Sequence, residues 1–148
     1  MPTARRSQGL KLFWRLHRWL FHISGGRLGA NLFGNKILML TTIGHKSGQP
    51  RNITIYYYPY QNGHVIIGSN AGHDRHPAWY LNLKAQPEVT VQIGAQPVQM
   101  LAREAEGSER EKLWTDIVTN ESSYADYQNM TQRMIPVVVL EPIESLAK

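Results

Sequence analysis

Ile37-Leu38-Met39-Leu40-Thr41-Thr42-Ile43-Gly44-His45-Lys46-Ser47-Gly48-Gln49-Pro50-Arg51-Asn52-Ile53-Thr54-Ile55-Tyr56 is the stretch from which the fold is read. An apolar run leads into a short, basic, glycine-bounded loop, and an alternating run leaves it. That is the pattern of two strands joined by a tight turn. Gly44 and Gly48 let the backbone turn so that successive N–H groups point to one side. Lys46, Ser47, Gln49 and Arg51 add side-chain donors, and no acidic residue occurs between Thr41 and Arg51. Such a concavity suits a phosphate or a polycarboxylate. An exposed hairpin turn with solvated charges would look the same, and the loop alone does not separate the two readings.

Outward from the loop, Ile53, Ile55 and Tyr57 fall on one strand face and Asn52, Thr54, Tyr56 and Tyr58 on the other. Asn62-Gly63 signals a two-residue hairpin turn, and His64 to Ser69 reads as a mostly apolar, central returning strand. Pro77 to Leu83 reads as a short helix with proline in its first turn, which places Trp79 and Asn82 on one face. Val89 to Ile93 and Val98 to Ala105 are two further strands, with Gly94-Ala95 as a turn between them. Gly107 to Thr119 and Tyr124 to Arg133 have helical composition, and Ile135 to Leu140 closes the sheet as a buried strand. The expected class is α+β, mainly β: a closed or half-closed barrel of about six antiparallel strands with peripheral helices. Short turns between most strands argue against a parallel, doubly wound sheet.

Toward the N-terminus, Leu10 to Ile23 is helical in pattern. Lys11, Arg15, Arg18 and His22 form one stripe, and the remaining surface is apolar with Trp14 and Trp19. Such a segment suits a membrane interface, and equally a helix packed on the barrel or on a second subunit. Gly25, Gly26, Gly29 and Gly34 mark a connection. The expected organisation is an amphipathic arm over residues 1–24 and a barrel domain over residues 25–148.

The chain has 148 residues, sixteen basic and eleven acidic, for a formal charge of +5. That length can bury roughly two-thirds of its unfolded surface as one domain. The charge admits an anionic ligand, an anionic membrane surface or nucleic acid. Nucleic acid is disfavoured, because the basic residues are scattered and Tyr56-Tyr57-Tyr58 alternates across a strand. The absence of cysteine removes disulfides, thiolate catalysis and thiolate metal sites. No apolar run approaches the roughly 20 residues that span a bilayer, and nothing resembles a cleaved secretory signal. The expected location is the cytoplasm, with peripheral contact at the inner face of the cell membrane through residues 10–23. His73 and His76 lack a third ligand at motif spacing, so no metal is expected. Neither a nucleophile elbow nor a mononucleotide or dinucleotide fingerprint is present.

Several segments in register carry more information. Leu40 to Arg51, Ser69-Asn70-Ala71-Gly72, Pro77 to Pro87, Tyr124 to Gln128 and Arg133 to Val139 together resemble the deazaflavin-dependent nitroreductase family. The resemblance runs from about Leu38 to Pro142, most of the chain. It implies a split β-barrel related to FMN-binding barrels, holding coenzyme F420, a 5-deazaflavin with a phosphodiester and an oligoglutamate tail. It further implies that Lys46, Ser47, Gln49 and Arg51 hold phosphate and tail. Ser69, Asn70 and Ala71 would lie near the deazaflavin, with Trp79 and Asn82 shaping its groove; packing and capping are the alternative roles for that last pair. Tyr56, Ser69, Tyr124 and Tyr127 would face an electron-poor acceptor such as a quinone, an enone or a nitroaromatic. His45 stands where the family commonly carries arginine, and Glu121-Ser122-Ser123 precedes Tyr124 where nitroimidazole-reducing relatives carry a further aromatic. The implied activity is hydride transfer from reduced F420. The alternatives are a non-catalytic carrier of F420 or an apolar ligand, and an FMN-dependent reductase. The loop's surplus of donors favours F420 over FMN, while oligomeric state stays open.

Overall fold

The structure, a computed structural model, describes residues 36–146. The amphipathic arm and the glycine-rich connection to residue 34 lie outside the described residues. Seven strands form one antiparallel sheet: β1 (Ile37–Ile43), β2 (Pro50–Tyr56), β3 (Tyr58–Tyr60), β4 (Gly63–Ile67), β5 (Glu88–Gln92), β6 (Pro97–Glu104) and β7 (Val137–Pro142). A 3-10 turn over Asn70–Gly72 and helix α1 (Ala78–Ala85) separate β4 from β5. Helices α2 (Gly107–Asn120) and α3 (Ser123–Asn129) separate β6 from β7, and α4 (Ile143–Leu146) follows β7. The spatial order is β2-β1-β5-β6-β7-β4-β3. Its two edge strands, β2 and β3, are separated in the chain only by Tyr57. The sheet therefore has to curl until its edges meet, which makes it a split barrel. The Tyr57 N–H donates to the Lys36 carbonyl at the start of β1 (3.0 Å) at this corner.

Both faces of the curled sheet are apolar, and the period of two along each strand assigns residues to one or the other. Ile66, Val138 and Leu140 belong to an inner cluster with Leu38, Leu40, Val89, Val91, Met100 and the α1 residues Trp79, Tyr80 and Leu83. Val65, Ile67, Val137 and Val139 belong to an outer cluster covered by Leu113 and Ile117 of α2 and Tyr124 of α3. This is why β4 and β7, paired as Ile66↔Val138 in the middle of their ladder, read as almost continuous apolar runs. Each fully buried Val, Leu or Ile contributes about 1.5–3 kcal/mol by leaving water. The alternation expected after the basic loop holds: Ile53, Ile55 and Tyr57 pack on the inner cluster and Tyr58 on the outer one.

Three expectations are corrected. The hairpin after β3 turns at Gln61-Asn62, with Gln61 at φ 50°, because Gly63 already pairs with Tyr60 in the ladder. Tyr58–Tyr60 is a seventh strand, too short and too interrupted by Pro59 to stand out in sequence; proline is tolerated because β3 is an edge strand. The helix expected over Tyr124 to Arg133 ends at Asn129, and an irregular segment runs from Met130 to Pro136.

His64 on β4 packs edge-on to Tyr57 with ring centroids 4.9 Å apart. Burial, and secondarily Lys36, push its pKa down, and its Nδ1 is buried with no hydrogen-bond partner among the described residues. His76 is shifted the same way by burial and Arg133, though it is more exposed. A lowered histidine pKa means that the unfolded chain takes up the proton first. Stability is therefore present above pH about 6.5 and is lost as pH falls toward the lower folded value. The melting temperature is expected to drop between pH 7 and pH 5, and His64→Leu should remove part of that slope. Glu109, held below its usual value chiefly by Arg103, acts only at more acidic pH. An equal slope in wild type and His64→Leu would show that His64 is not responsible.

Candidate active site

The basic loop is the β1–β2 hairpin, closed by the register pair Ile43↔Pro50. The Gly44 N–H donates to the Gln49 carbonyl and the Gly48 N–H to the Gly44 carbonyl, both at 2.8 Å. Gly48 has φ 69°, a region costly for residues with a Cβ. Ser47 Oγ accepts from the Gln49 N–H (3.2 Å) and from Arg51 Nη2 (3.3 Å). His45 through Arg51 are exposed, so Lys46, Ser47, Gln49 and Arg51 form one solvent-facing set of donors. Their chemistry suits a flexible polyanion, and several weakly committed donors are more than one phosphate requires.

Asn82, one helical turn along α1, holds this loop from below. Its Nδ2 donates to Thr42 Oγ1 (3.1 Å), so its Oδ1 is turned toward His45. There it accepts the His45 backbone N–H at 3.0 Å and lies 2.6 Å from His45 Nδ1, which must carry the proton of that bond. Both Asn82 and Thr42 are buried. The side chain of Asn82 is thus committed to positioning the loop, and Trp79 is committed to the inner core. Asn82→Ala would leave the His45 amide and Thr42 hydroxyl without their partner. We expect it to cost about 1–3 kcal/mol of stability, readable as a lower urea midpoint at unchanged m-value. An unchanged midpoint would show that the loop holds itself.

The chain reaches α1 from the segment Gly68 to Pro77, which includes the expected site residues Ser69, Asn70 and Ala71. Asn70 (φ 45°) and Ala71 (φ 54°) both adopt the left-handed region, unusual for two consecutive residues with side chains. Neighbours hold them there. The Gly72 N–H donates to the Ser69 carbonyl (2.9 Å), and Asn70 Nδ2 donates to the Arg75 carbonyl (2.9 Å). A Cβ on Gly72 would come within 3.0 Å of the Tyr127 carbonyl, so α3 lies directly against this turn.

Aromatic residues converge on the other side of that contact. Tyr124 is buried, with its ring 6.3 Å from those of Tyr58 and Tyr127, each edge-on. Burial raises the pKa of Tyr124 well above the ordinary tyrosine value, and the neighbouring Tyr58 phenol adds to the rise. Tyr58 is itself raised, first by burial, and senses Tyr56 at the end of β2. The phenols of Tyr58 and Tyr124 are therefore neutral at physiological pH. The structure brings Tyr58, Tyr124, Tyr127 and the turn after Ser69 to one place, and Tyr56 ends β2 two residues before Tyr58. Tyr58 and Arg133 also border this arrangement, a placement that sequence reasoning did not assign to them. A groove of about 750 Å³ runs from Tyr58 between β3 and α2, away from the basic loop. No helix among the described residues is long and apolar enough to cross a membrane.

Residues 13–142 match the model of a family described as F420H(2)-dependent quinone reductase. The chain is 34% identical over 139 residues to an F420H(2)-dependent quinone reductase of Mycobacterium tuberculosis, covering 91% of this chain and 93% of that protein. A solved F420-H2 dependent reductase shares 40% identity and a TM-score of 0.64, over 71% of this chain and 93% of its own. A second solved relative, a domain-swapped dimer, shares 32% identity and a TM-score of 0.66, over 88% of this chain and 99% of its own.

Proposed function

The chain belongs to the F420H2-dependent quinone reductase family, and from that premise we propose how its own residues carry out the reduction of quinones with coenzyme F420. Membership makes it an oxidoreductase with F420 as cofactor. The single observation that carries the residue assignment is the acid-free β1–β2 hairpin, anchored by Asn82 to the helix that leaves the Ser69 turn. Lys46, Ser47, Gln49 and Arg51 bind the phosphate and oligoglutamate tail. About one turn of α1, roughly 6 Å along its axis, separates Asn82 from the helix start, so both ends of the cofactor site are referred to one rigid element. Ser69, Asn70 and Ala71 line the deazaflavin.

When bound, reduced F420 supplies the hydride, and the chain's task is to orient the two reactants and exclude water. Tyr124 is buried edge-on between Tyr58 and Tyr127, so it contributes its ring to the wall of the acceptor site. Tyr127 and Ser69 keep their hydroxyls to donate to the quinone oxygen that gains charge, with Tyr56 at the mouth. Enones and nitroaromatics are further candidate acceptors. Residues 1–24 form an arm and residues 25–148 the catalytic domain, with residues 10–23 contacting the membrane that holds the acceptor. Flotation with anionic liposomes, with and without residues 1–24, tests that last assignment.

The decisive experiment is titration of the purified protein with reduced F420 and with FMN, followed by addition of menadione. Binding of F420 and its oxidation on adding the quinone are expected. Tight FMN binding without F420 binding would sink the assignment, and F420 binding without turnover by any quinone would make the chain a carrier.

A further inference from the structure

Arg133 lies in the irregular segment between α3 and β7, and its guanidinium meets three backbone carbonyls and one histidine ring far away in the chain. Its Nη2 donates to the Ser69 carbonyl (2.7 Å), Nη1 to the Gly68 carbonyl (3.1 Å) and Nε to the His73 carbonyl (2.8 Å). Nη1 also lies 3.1 Å from His76 Nδ1, which must act as acceptor because guanidinium only donates. One side chain thus spans the segment that contains the two left-handed residues Asn70 and Ala71. Such conformations persist only where the surroundings over-determine them. Thr131 adds a bond from its Oγ1 to Asp74 Oδ1 (2.9 Å), and the Gly68 N–H donates to the Pro136 carbonyl (2.9 Å).

Arg133 is in turn held from α3. Gln128 Nε2 donates to the Arg133 carbonyl (2.8 Å) and Gln128 Oε1 accepts the Ile135 N–H (2.9 Å), which frames the segment on both sides of Met134. Gln128 directly follows Tyr127 and lies one turn beyond Tyr124. A short chain of bonds therefore runs from the tyrosine helix through Gln128 and Arg133 to the Ser69 turn.

We propose that Arg133 is a positioning residue for the reaction, setting the spacing between the Ser69–Gly72 turn and the Tyr124/Tyr127 wall. This rests on the assignment of that turn to the cofactor and of the tyrosines to the acceptor. Hydride transfer needs donor and acceptor atoms about 3–3.5 Å apart, and a displacement of about 1 Å can cost two orders of magnitude in rate. A guanidinium fits the task because its planar fork meets several carbonyls at fixed angles, whereas a lysine ammonium is a single point. The clamp does not touch Lys46 or Arg51, so loss of the clamp should act on turnover more than on affinity.

The test compares wild type, Arg133→Met and Arg133→Lys. In Arg133→Met, amide hydrogen exchange at residues 69–73 is expected to accelerate at least about tenfold. Its kcat for F420H2 oxidation by menadione is expected to fall about tenfold or more, with the Kd for F420 and the KM for menadione changing less than about threefold. Arg133→Lys should recover little, whereas added guanidinium should restore part of the Arg133→Met rate. A kcat within about twofold of wild type, or exchange at residues 69–73 equal to wild type, would overturn the proposal. A wild-type protein that does not oxidise F420H2 would instead refute the cofactor assignment, and the exchange comparison judges the clamp without it. If Arg133→Met does not fold, Arg133→Lys carries the same comparison.

Discussion

Replacing Lys46 and Arg51 together by alanine is expected to lower F420 affinity by about 3–6 kcal/mol, at about 1.5–3 kcal/mol for each charge-assisted contact. That is a loss of at least about two orders of magnitude in Kd. Both side chains are exposed, and the only hydrogen bond of Arg51 within the described protein is the long one to Ser47. The melting temperature should therefore hardly move, which separates a binding defect from a folding defect. Because Arg51 shares Ser47 with the loop backbone, the single variants need not add up to the double. Wild-type affinity should fall with added salt, and the double variant should lose most of that dependence. A cofactor lacking the glutamate tail should discriminate less between the two proteins. Equal Kd values would reduce the hairpin to a turn.

The largest stability effect is expected at Gly63, the first residue of β4. A Cβ placed there would stand 1.9 Å from the Leu140 carbonyl oxygen and 3.0 Å from its carbon. The obstacle is backbone of β7 at a fully buried residue, so no side chain can swing away. Gly63→Ala must push β4 and β7 apart where His64 pairs with Leu140. We expect a cost of about 3 kcal/mol or more, the upper end for overpacking, and a melting temperature lower by about 10 °C. Calorimetry or urea unfolding checks it, and a loss under about 1 kcal/mol would mean that the edge of the barrel yields. Activity per folded molecule should survive, since Gly63 lies away from the Ser69 turn.

How much was legible depends on whether a residue's role is local. The alternation Ile53, Ile55, Tyr57 against Tyr58 assigned both faces of the curled sheet correctly, because a strand's period of two is a property of the backbone. Asn62-Gly63 was misread by one residue. Local turn preference explains a glycine there, but the actual reason is the Leu140 carbonyl, 77 residues further on. Asn82 was expected to shape the cofactor groove or to serve in packing and capping; its bonds to Thr42 and His45 became visible only in the fold. Tyr58 was placed on a strand face and Arg133 within a family-like segment, but neither was given a site role. The first carries no motif of its own, and the partners of the second are mostly carbonyl groups, which every residue has.

By itself the sequence determined that this chain is a mainly β barrel, that an acid-free donor loop joins its first two strands, and that segments along most of its length agree with an F420-using family. Each of these follows from residue type and spacing within a few positions, or from several such segments in order. Only the tertiary structure decided that the sheet has seven strands and curls until β2 meets β3. It alone showed that Asn82 supports the loop and that Arg133 ties the Ser69 turn to the tyrosine helix. The physical reason is range. Periodicity and turn chemistry act over a handful of bonds, whereas a hydrogen bond across 64 residues from Arg133 to Ser69 exists only once the sheet has closed.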